Sequence, residues 1–373
     1  MLIMNYKGNP EYTHDSPSCT GILITNLGTP DEPTVTSVRK YLAEFLSDPR
    51  VIELPRYIWW LVLHGIILRI RPSRSAKAYK KIWTEDGSPL LSISKKQALG
   101  LEKILTKKIQ GPIKIELSMR YGNPSIKSGL KKLQESNASR ILILPLYPQY
   151  SAATTGSTFD AISNELKKWR WLPEIRMVNH YHDYPDYIDA LKNSIQEYWK
   201  HNGRPQKLIF SFHGLPKHYF LAGDPYHCEC HKTARLVAEK LKLDQDEWLV
   251  TFQSRFGPRE WLKPYTDETL ISLAESGVKN INIVCPGFSA DCLETLEEID
   301  IQNREFFIKA GGEKFNYIPA LNDHGNHIEL LSNIILKHTN GWSEFSKNWD
   351  QEKIETELSK SKERAEKSIY NKN

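Results

Sequence analysis

The run KLIFSFHGLP, residues 207–216, places His213 where a buried strand would stop, followed by a glycine that allows another backbone to come close. An imidazole in that position is either a proton acceptor near pH 7 or a strand-end side chain held by hydrogen bonds. A second group lies in CPGFSADCLETLEEID, residues 285–300. The spacing predicts a helix opening near Asp291, with Asp291, Glu294 and Glu298 on one face and Glu297 beside it. Capping of the helix dipole accounts for Asp291 alone. A row of carboxylates at a cleft can hold a divalent cation through hard oxygen ligands, or raise one another's pKa until one accepts a proton; the spacing leaves both open.

Two further segments carry unusual composition. Residues 54–83, LPRYIWWLVLHGIILRIRPSRSAKAYKKIW, have an apolar core from Tyr57 to Leu68, well short of the approximately 20 residues that cross a bilayer. Arg56, Arg69, Arg71, Arg74, Lys77, Lys80 and Lys81 surround it, with no acidic residue between Glu53 and Glu85. Such a segment suits an anionic lipid surface or an apolar dianionic ligand, and equally a core helix with a solvated basic flank. HCECH, His227 to His231, invites a metal, but structural zinc favours CxxC spacing, and CxC at a helix start points its thiols apart.

The elements that must position these residues alternate along the chain. Apolar, β-branched runs at 21–27, 113–119, 140–147, 207–213, 248–253, 280–285 and 315–319 predict strands buried on both faces. Amphipathic stretches at 92–110, 124–136, 157–169, 185–200, 230–241, 266–276, 291–310 and 326–338 predict the crossover helices. The fold class is therefore α/β, with two doubly wound parallel-sheet domains and strand ends lining a cleft. The expected divisions are a flexible leader over 1–18, a first domain over 19–175 with an apolar lid at 54–83, a second domain over 176–323, a helix at 324–340 and a charged, solvated tail from 341 to 373.

With 373 residues and 40% hydrophobic content, the chain is long enough for two cores and is not a disordered protein. Its 50 Lys+Arg against 45 Asp+Glu give a net charge of +5, too small a surplus for a nucleic-acid footprint. Five cysteines, an odd number, suit a reducing compartment better than a disulfide framework. GxxxxGK[ST], HExxH, GxSxG and a strand-following GxGxxG are all missing, which removes support for the usual phosphate, zinc-protease, hydrolase and dinucleotide chemistries.

These segments, together with TNLGTPDEPT (25–34), SMRYGNPSI (118–126), LYPQYSAATTGST (146–158), GDPY (223–226) and QSRFGPREWLKPYTDETL (253–270), resemble the ferrochelatase family from about Gly21 to His338. The resemblance implies insertion of ferrous iron into protoporphyrin IX to give protohaem, the terminal step of haem synthesis. It also implies two Rossmann-like domains facing a porphyrin cleft, class II chelatase-like, with the C-terminal helix returning to the first domain. By the same resemblance His213 and Glu294 are the catalytic and metal-contacting pair, with Asp291 and Glu298 as a proton or metal path. The porphyrin contacts fall on Leu27, Arg120, Tyr121, Trp261 and Phe288. Where some relatives carry a histidine two residues before the glutamate, this chain has Cys292.

The chemistry fits those side chains. Two pyrrole protons must leave a rigid macrocycle, which calls for a base, a cation path and a grip on the ring. Lys80, Lys81 and Arg120 are candidates for the porphyrin carboxylates. No cofactor is required, iron being a substrate, and no [2Fe-2S] cluster is expected because no cysteine follows Cys292. The expected location is cytoplasmic, with transient contact at the inner face of the membrane. A coproporphyrin chelatase and a noncatalytic tetrapyrrole carrier are the alternatives.

Overall fold

The computed structural model describes residues 6–9, 12–13 and 15–368. Eight strands form two four-stranded sheets, parallel throughout. β1 (Cys19–Thr29), β2 (Ile113–Gly122), β3 (Ala138–Pro145) and β4 (Glu174–Met177) run in the order β2-β1-β3-β4. β5 (Lys207–His213), β6 (Trp248–Gln253), β7 (Asn280–Val284) and β8 (Lys314–Ile318) repeat it as β6-β5-β7-β8. Successive residues Ile22, Leu23 and Ile24 of β1 and Ile209 and Phe210 of β5 are all fully buried, because helices cover both faces of each sheet.

That strand order decides where a ligand can sit. Each sheet starts in its middle, adds one strand on one side and then crosses to the other, so a crevice opens at the carboxyl ends of β1 and β3 and of β5 and β7. Leu27 and His213 stand at the ends of the two central strands. Beyond Leu27 the chain passes β2 so closely that a Cβ on Gly28, at φ +112°, would lie 1.8 Å from the Tyr121 carbonyl oxygen.

Residues 54–83 lie within the long insertion between β1 and β2. They form a helical run, Arg56–Val62, Leu63–Ile67 and Leu68–Ile82, with the middle turn a π-helix. Trp59, Leu63 and Leu68 are buried against Val38, Tyr41, Leu42 and Tyr79, and Trp59 Nε1 donates to the Leu46 carbonyl at 2.6 Å. One face is therefore core, while Tyr57, Trp60, Leu61, Ile66 and Ile70 remain exposed. No helix among the described residues is long and apolar enough to cross a membrane.

Three boundaries differ from expectation. β4 was not visible as an apolar run, because EIRM is a short, half-buried to exposed edge strand, and it carries the first sheet past 175 to Met177. Within the leader, Lys7 is not loose: its N–H donates to the Lys168 carbonyl at 2.7 Å, and its own carbonyl accepts from the Arg170 N–H at 2.7 Å. Residues 1–5, 10, 11 and 14 of that leader lie outside the described residues. The tail begins docked, with Trp342 Nε1 donating to Glu174 at 2.8 Å and buried Glu344 paired with Arg140 at 2.7 Å. The solvated part is the helix Gln351–Glu366, which buries nothing; residues 369–373 lie outside the described residues. The helix Gly325–His338 packs on the helix Pro89–Lys108 of the first half, where Ile328 covers Gly100.

Candidate active site

His213 closes β5 with its imidazole largely enclosed, and Nδ1 lies 2.7 Å from the Gly214 carbonyl oxygen. A carbonyl only accepts, so Nδ1 carries the proton and Nε2 is left as the basic nitrogen. Burial holds the pKa below the usual histidine range, and the nearby Glu294 charge partly opposes that shift. The ring is thus neutral at pH 7 and able to take a proton. Trp261 covers the adjacent backbone: a Cβ on Gly214 would meet Trp261 at 3.2 Å and the Gln253 carbonyl at 2.8 Å. Trp261 is itself pinned by a hydrogen bond from Nε1 to the Phe256 carbonyl at 2.9 Å.

The carboxylates arrange differently from a simple helical face. The segment after β7 opens its helix at Glu294, not Asp291, and Glu294–Asn303 is a π-helix followed by the α-helix Arg304–Lys309. The wider π turn keeps Glu294 and Glu298 close to one turn apart. Asp291 precedes the helix, and its carboxylate is filled by internal donors: Tyr317 Oη at 2.5 Å, Thr295 Oγ1 at 3.0 Å and Asn322 Nδ2 at 2.7 Å. Those donors tie buried Asp291 to the π-helix, to β8 and to the loop beyond it. Glu298 is pushed up to about 7, first by burial and further by the Glu294 charge, against the hydrogen bond that Ser254 donates to it. Ser254 reaches it from the left-handed region, φ +66°, just past the end of β6. Gln253 fixes the neighbouring backbone by donating to the Glu294 carbonyl at 2.9 Å.

Glu294 is the electrostatic centre of the crevice. Its charge acts on His213 and Glu298 from its own half, and on Tyr41, Tyr79 and Arg71 from the other. Burial and that charge push both tyrosines well above their ordinary range, so they remain neutral hydroxyls. Arg71 lies over the Phe256 ring at 4.7 Å and so links residues 54–83 to the loop beyond β6. Tyr41, Tyr79, Arg71, Gln253 and Ser254 were missed in the sequence. The tyrosines look like core residues, Arg71 looks like one basic residue among many, and a left-handed serine has no local sequence signal.

The other expected contacts separate into two groups. Leu27 and Phe288 meet, with Leu90, Ala290 and Cys292, in a small apolar cluster that joins the two halves. Tyr121 is fully buried, and its hydroxyl donates to Asp48 at 2.8 Å. Arg120 pairs with the same Asp48 at 2.5 Å and also binds the Ser157 carbonyl at 3.0 Å. Although burial opposes it, hydrogen bonds from Ser157, the Arg50 N–H and Tyr121 keep Asp48 below the usual carboxylate range. The Arg120–Tyr121 pair therefore braces the first half through Arg120 Nε and Nη2 and the Tyr121 hydroxyl. Lys81 is paired with Glu297 at 2.9 Å, tying residues 54–83 to the π-helix, whereas Lys80 is exposed. Cys228 is exposed and Cys230 buried, so their thiols do not converge.

The sequence pattern of the family described as ferrochelatase matches residues 19–339. The ferrochelatase of Thioalkalivibrio sulfidiphilus (strain HL-EbGR7) is 56% identical over 347 residues, covering 93% of this chain and 94% of that one. The ferrochelatase of Nitrosococcus oceani is 54% identical over 362 residues, covering 97% and 98%. Among solved structures, SirB from Bacillus subtilis with Fe3+ superposes with a TM-score of 0.50 at 14% identity, covering 88% of this chain and 100% of that one, a likeness of fold alone. Two parallel sheets meeting at a crevice that holds His213 and Glu294, and a match running almost end to end with close relatives, establish that the chain belongs to the ferrochelatase family.

Proposed function

We propose that this protein inserts ferrous iron into protoporphyrin IX, forming protohaem, with His213 as the first proton acceptor. The observation that carries the reading is a half-buried, neutral imidazole with a free Nε2, under the charge of Glu294, at the switch point of the second sheet. Iron replaces two pyrrole protons. His213 Nε2 takes a proton from the macrocycle, Glu294 draws the cation toward the ring, and Glu298, protonatable near neutrality, relays protons outward. Leu27, Phe288 and Trp261 supply apolar surface against the ring faces, where binding energy can hold the macrocycle out of plane. Exposed Lys80, and Arg71 within reach of the Glu294 charge, are the cations for the propionates, since Asp48 and Glu297 already hold Arg120 and Lys81.

The apolar face of residues 57–70 favours protoporphyrin, with two carboxylates, over coproporphyrin, with four. It also suits reversible contact with the inner face of the cytoplasmic membrane. No resident cofactor enters the scheme, and dispersed thiols supply no four-cysteine cage for a cluster. The test is anaerobic Fe2+ insertion by purified protein, offered protoporphyrin IX and coproporphyrin III in parallel. Faster insertion into protoporphyrin is expected. A reversed preference would assign the tetracarboxylate, and tight binding without insertion of either would make the chain a carrier.

A further inference from the structure

Away from the crevice, three side chains with metal-binding chemistry converge and have no task in the proposed reaction. His180 and His182 lie on the connector that follows β4, and Glu229 lies in the first turn of the helix Tyr226–Leu241. One ligand atom from each lies within 4.8 Å of the others. The two oxygens of Glu229 face different rings: Oε1 is 2.6 Å from His180 Nδ1, and Oε2 is 3.3 Å from His182 Nδ1. Ligands held about 2.0–2.2 Å from one tetrahedral ion stand roughly 3–3.5 Å apart, so small side-chain adjustments would seat a cation here.

A second observation points to a ligand. His182 is 5% exposed, and its Nδ1 makes no hydrogen bond, although Glu229 Oε2 stands 3.3 Å away. A buried nitrogen in that state is placed to act as a ligand atom. The surroundings also hold the group in place. The Tyr150 N–H donates to Glu229 Oε2 at 2.7 Å, and Thr233 Oγ1 donates to the His182 carbonyl at 2.8 Å. Asp183 lies 3.9 Å from His182 Nε2, the ring nitrogen opposite the cluster, and its charge is matched by Lys232 at 2.5 Å. His180 is half exposed and gives an entry route from solvent.

We propose that His180, His182 and Glu229 form a divalent-cation site separate from the crevice, taking a borderline ion such as Zn2+, Co2+ or Fe2+ and fastening the connector between the two sheets to the helix Tyr226–Leu241. Two imidazoles and one carboxylate with open positions are a donor set for such ions, in preference to Mg2+ or Ca2+. The site stands whether or not His213 acts as the base.

The test titrates porphyrin-free, full-length protein with Co2+, read by visible absorption, and with Zn2+, read by thermal unfolding. Wild type and His213→Ala should both bind one equivalent with a rise in Tm. The double variant His180→Gln, His182→Gln should lose that equivalent and the Tm response while keeping iron insertion. Should the double variant not fold, His180→Gln alone, altering a half-exposed side chain, should bind Co2+ at least tenfold more weakly. Unchanged binding in the folded variant, no Co2+ bound by wild type, or loss of all binding in His213→Ala would each overturn the proposal.

Discussion

At the scale of single residues, Glu298 is the group whose charge should respond to pH near neutrality. Its pKa stands near 7 in the folded protein against an ordinary 4.5, because burial outweighs the Ser254 hydrogen bond. A carboxyl raised in this way favours the folded state fully below about pH 4.5 and loses that contribution as pH rises through about 7. Glu298→Gln should therefore match wild-type Tm near pH 4.5 and exceed it by pH 8, and Ser254→Ala should move the Glu298 titration to still higher pH. Thermal unfolding at the two pH values checks the first and carboxyl NMR across that range the second, and a midpoint near 4.5 would remove Glu298 from the relay. Asp291 should behave differently. Asp291→Ala strands several buried donors at about 1–3 kcal/mol each, so the urea midpoint should fall sharply. A stable Asp291→Asn protein with insertion slowed a hundredfold would instead restore Asp291 to the path. The placement of His213 at a strand end and of Glu294 and Glu298 on one helical segment was legible in sequence because strand ends and helical spacing are local properties. The role of Asp291 was not, since Tyr317 and Asn322 reach it only after β8 has formed.

Among the elements, residues 54–83 show how far composition can lead. Their apolar and basic character was plain, but composition allowed either a membrane lip or a core helix, and the fold buries one apolar face and leaves another exposed. Trp59 is 5% exposed and holds the Leu46 carbonyl, whereas Trp60 is 59% and Leu61 64% exposed. Trp60→Ser, Leu61→Ser should leave stability nearly unchanged and reduce cosedimentation with anionic vesicles, wild-type binding itself weakening with salt. Trp59→Ser should cost about 3–5 kcal/mol of stability. Equal vesicle binding by wild type and the double variant would refute the membrane contact. The seven runs located seven strands, most plainly the central β1 and β5, because a strand buried on both faces is apolar at successive positions. β4 escaped because an edge strand need not be, and the π-helix escaped because acidic residues spaced by three and four read as an α-helical face.

For the whole molecule, direct contacts hold the two halves of the crevice in register. Gln97 of the first half donates to the Ser289 and Asn322 carbonyls at 2.9 and 3.0 Å, and Tyr219 of the second donates to the Val51 carbonyl at 3.0 Å. The Leu27–Phe288 cluster and the Arg71–Phe256 contact also span the two halves. These ties set His213 and Glu294 of one half against Tyr41 and Tyr79 of the other. The repeated βα alternation made two doubly wound units legible, but their facing surfaces were not, because contacts such as Gln97 to Asn322 leave no periodic trace. The proton acceptor proposed for the macrocycle is His213. That role is tested most directly by single-turnover Fe2+ insertion at saturating protoporphyrin, comparing wild type with His213→Ala and measuring porphyrin affinity on the same preparations. Loss of a general base typically costs about 10²- to 10⁴-fold, so the variant should bind porphyrin within a few-fold of wild type and insert iron at least a hundredfold more slowly. Retention of more than about a tenth of the wild-type rate would contradict the account.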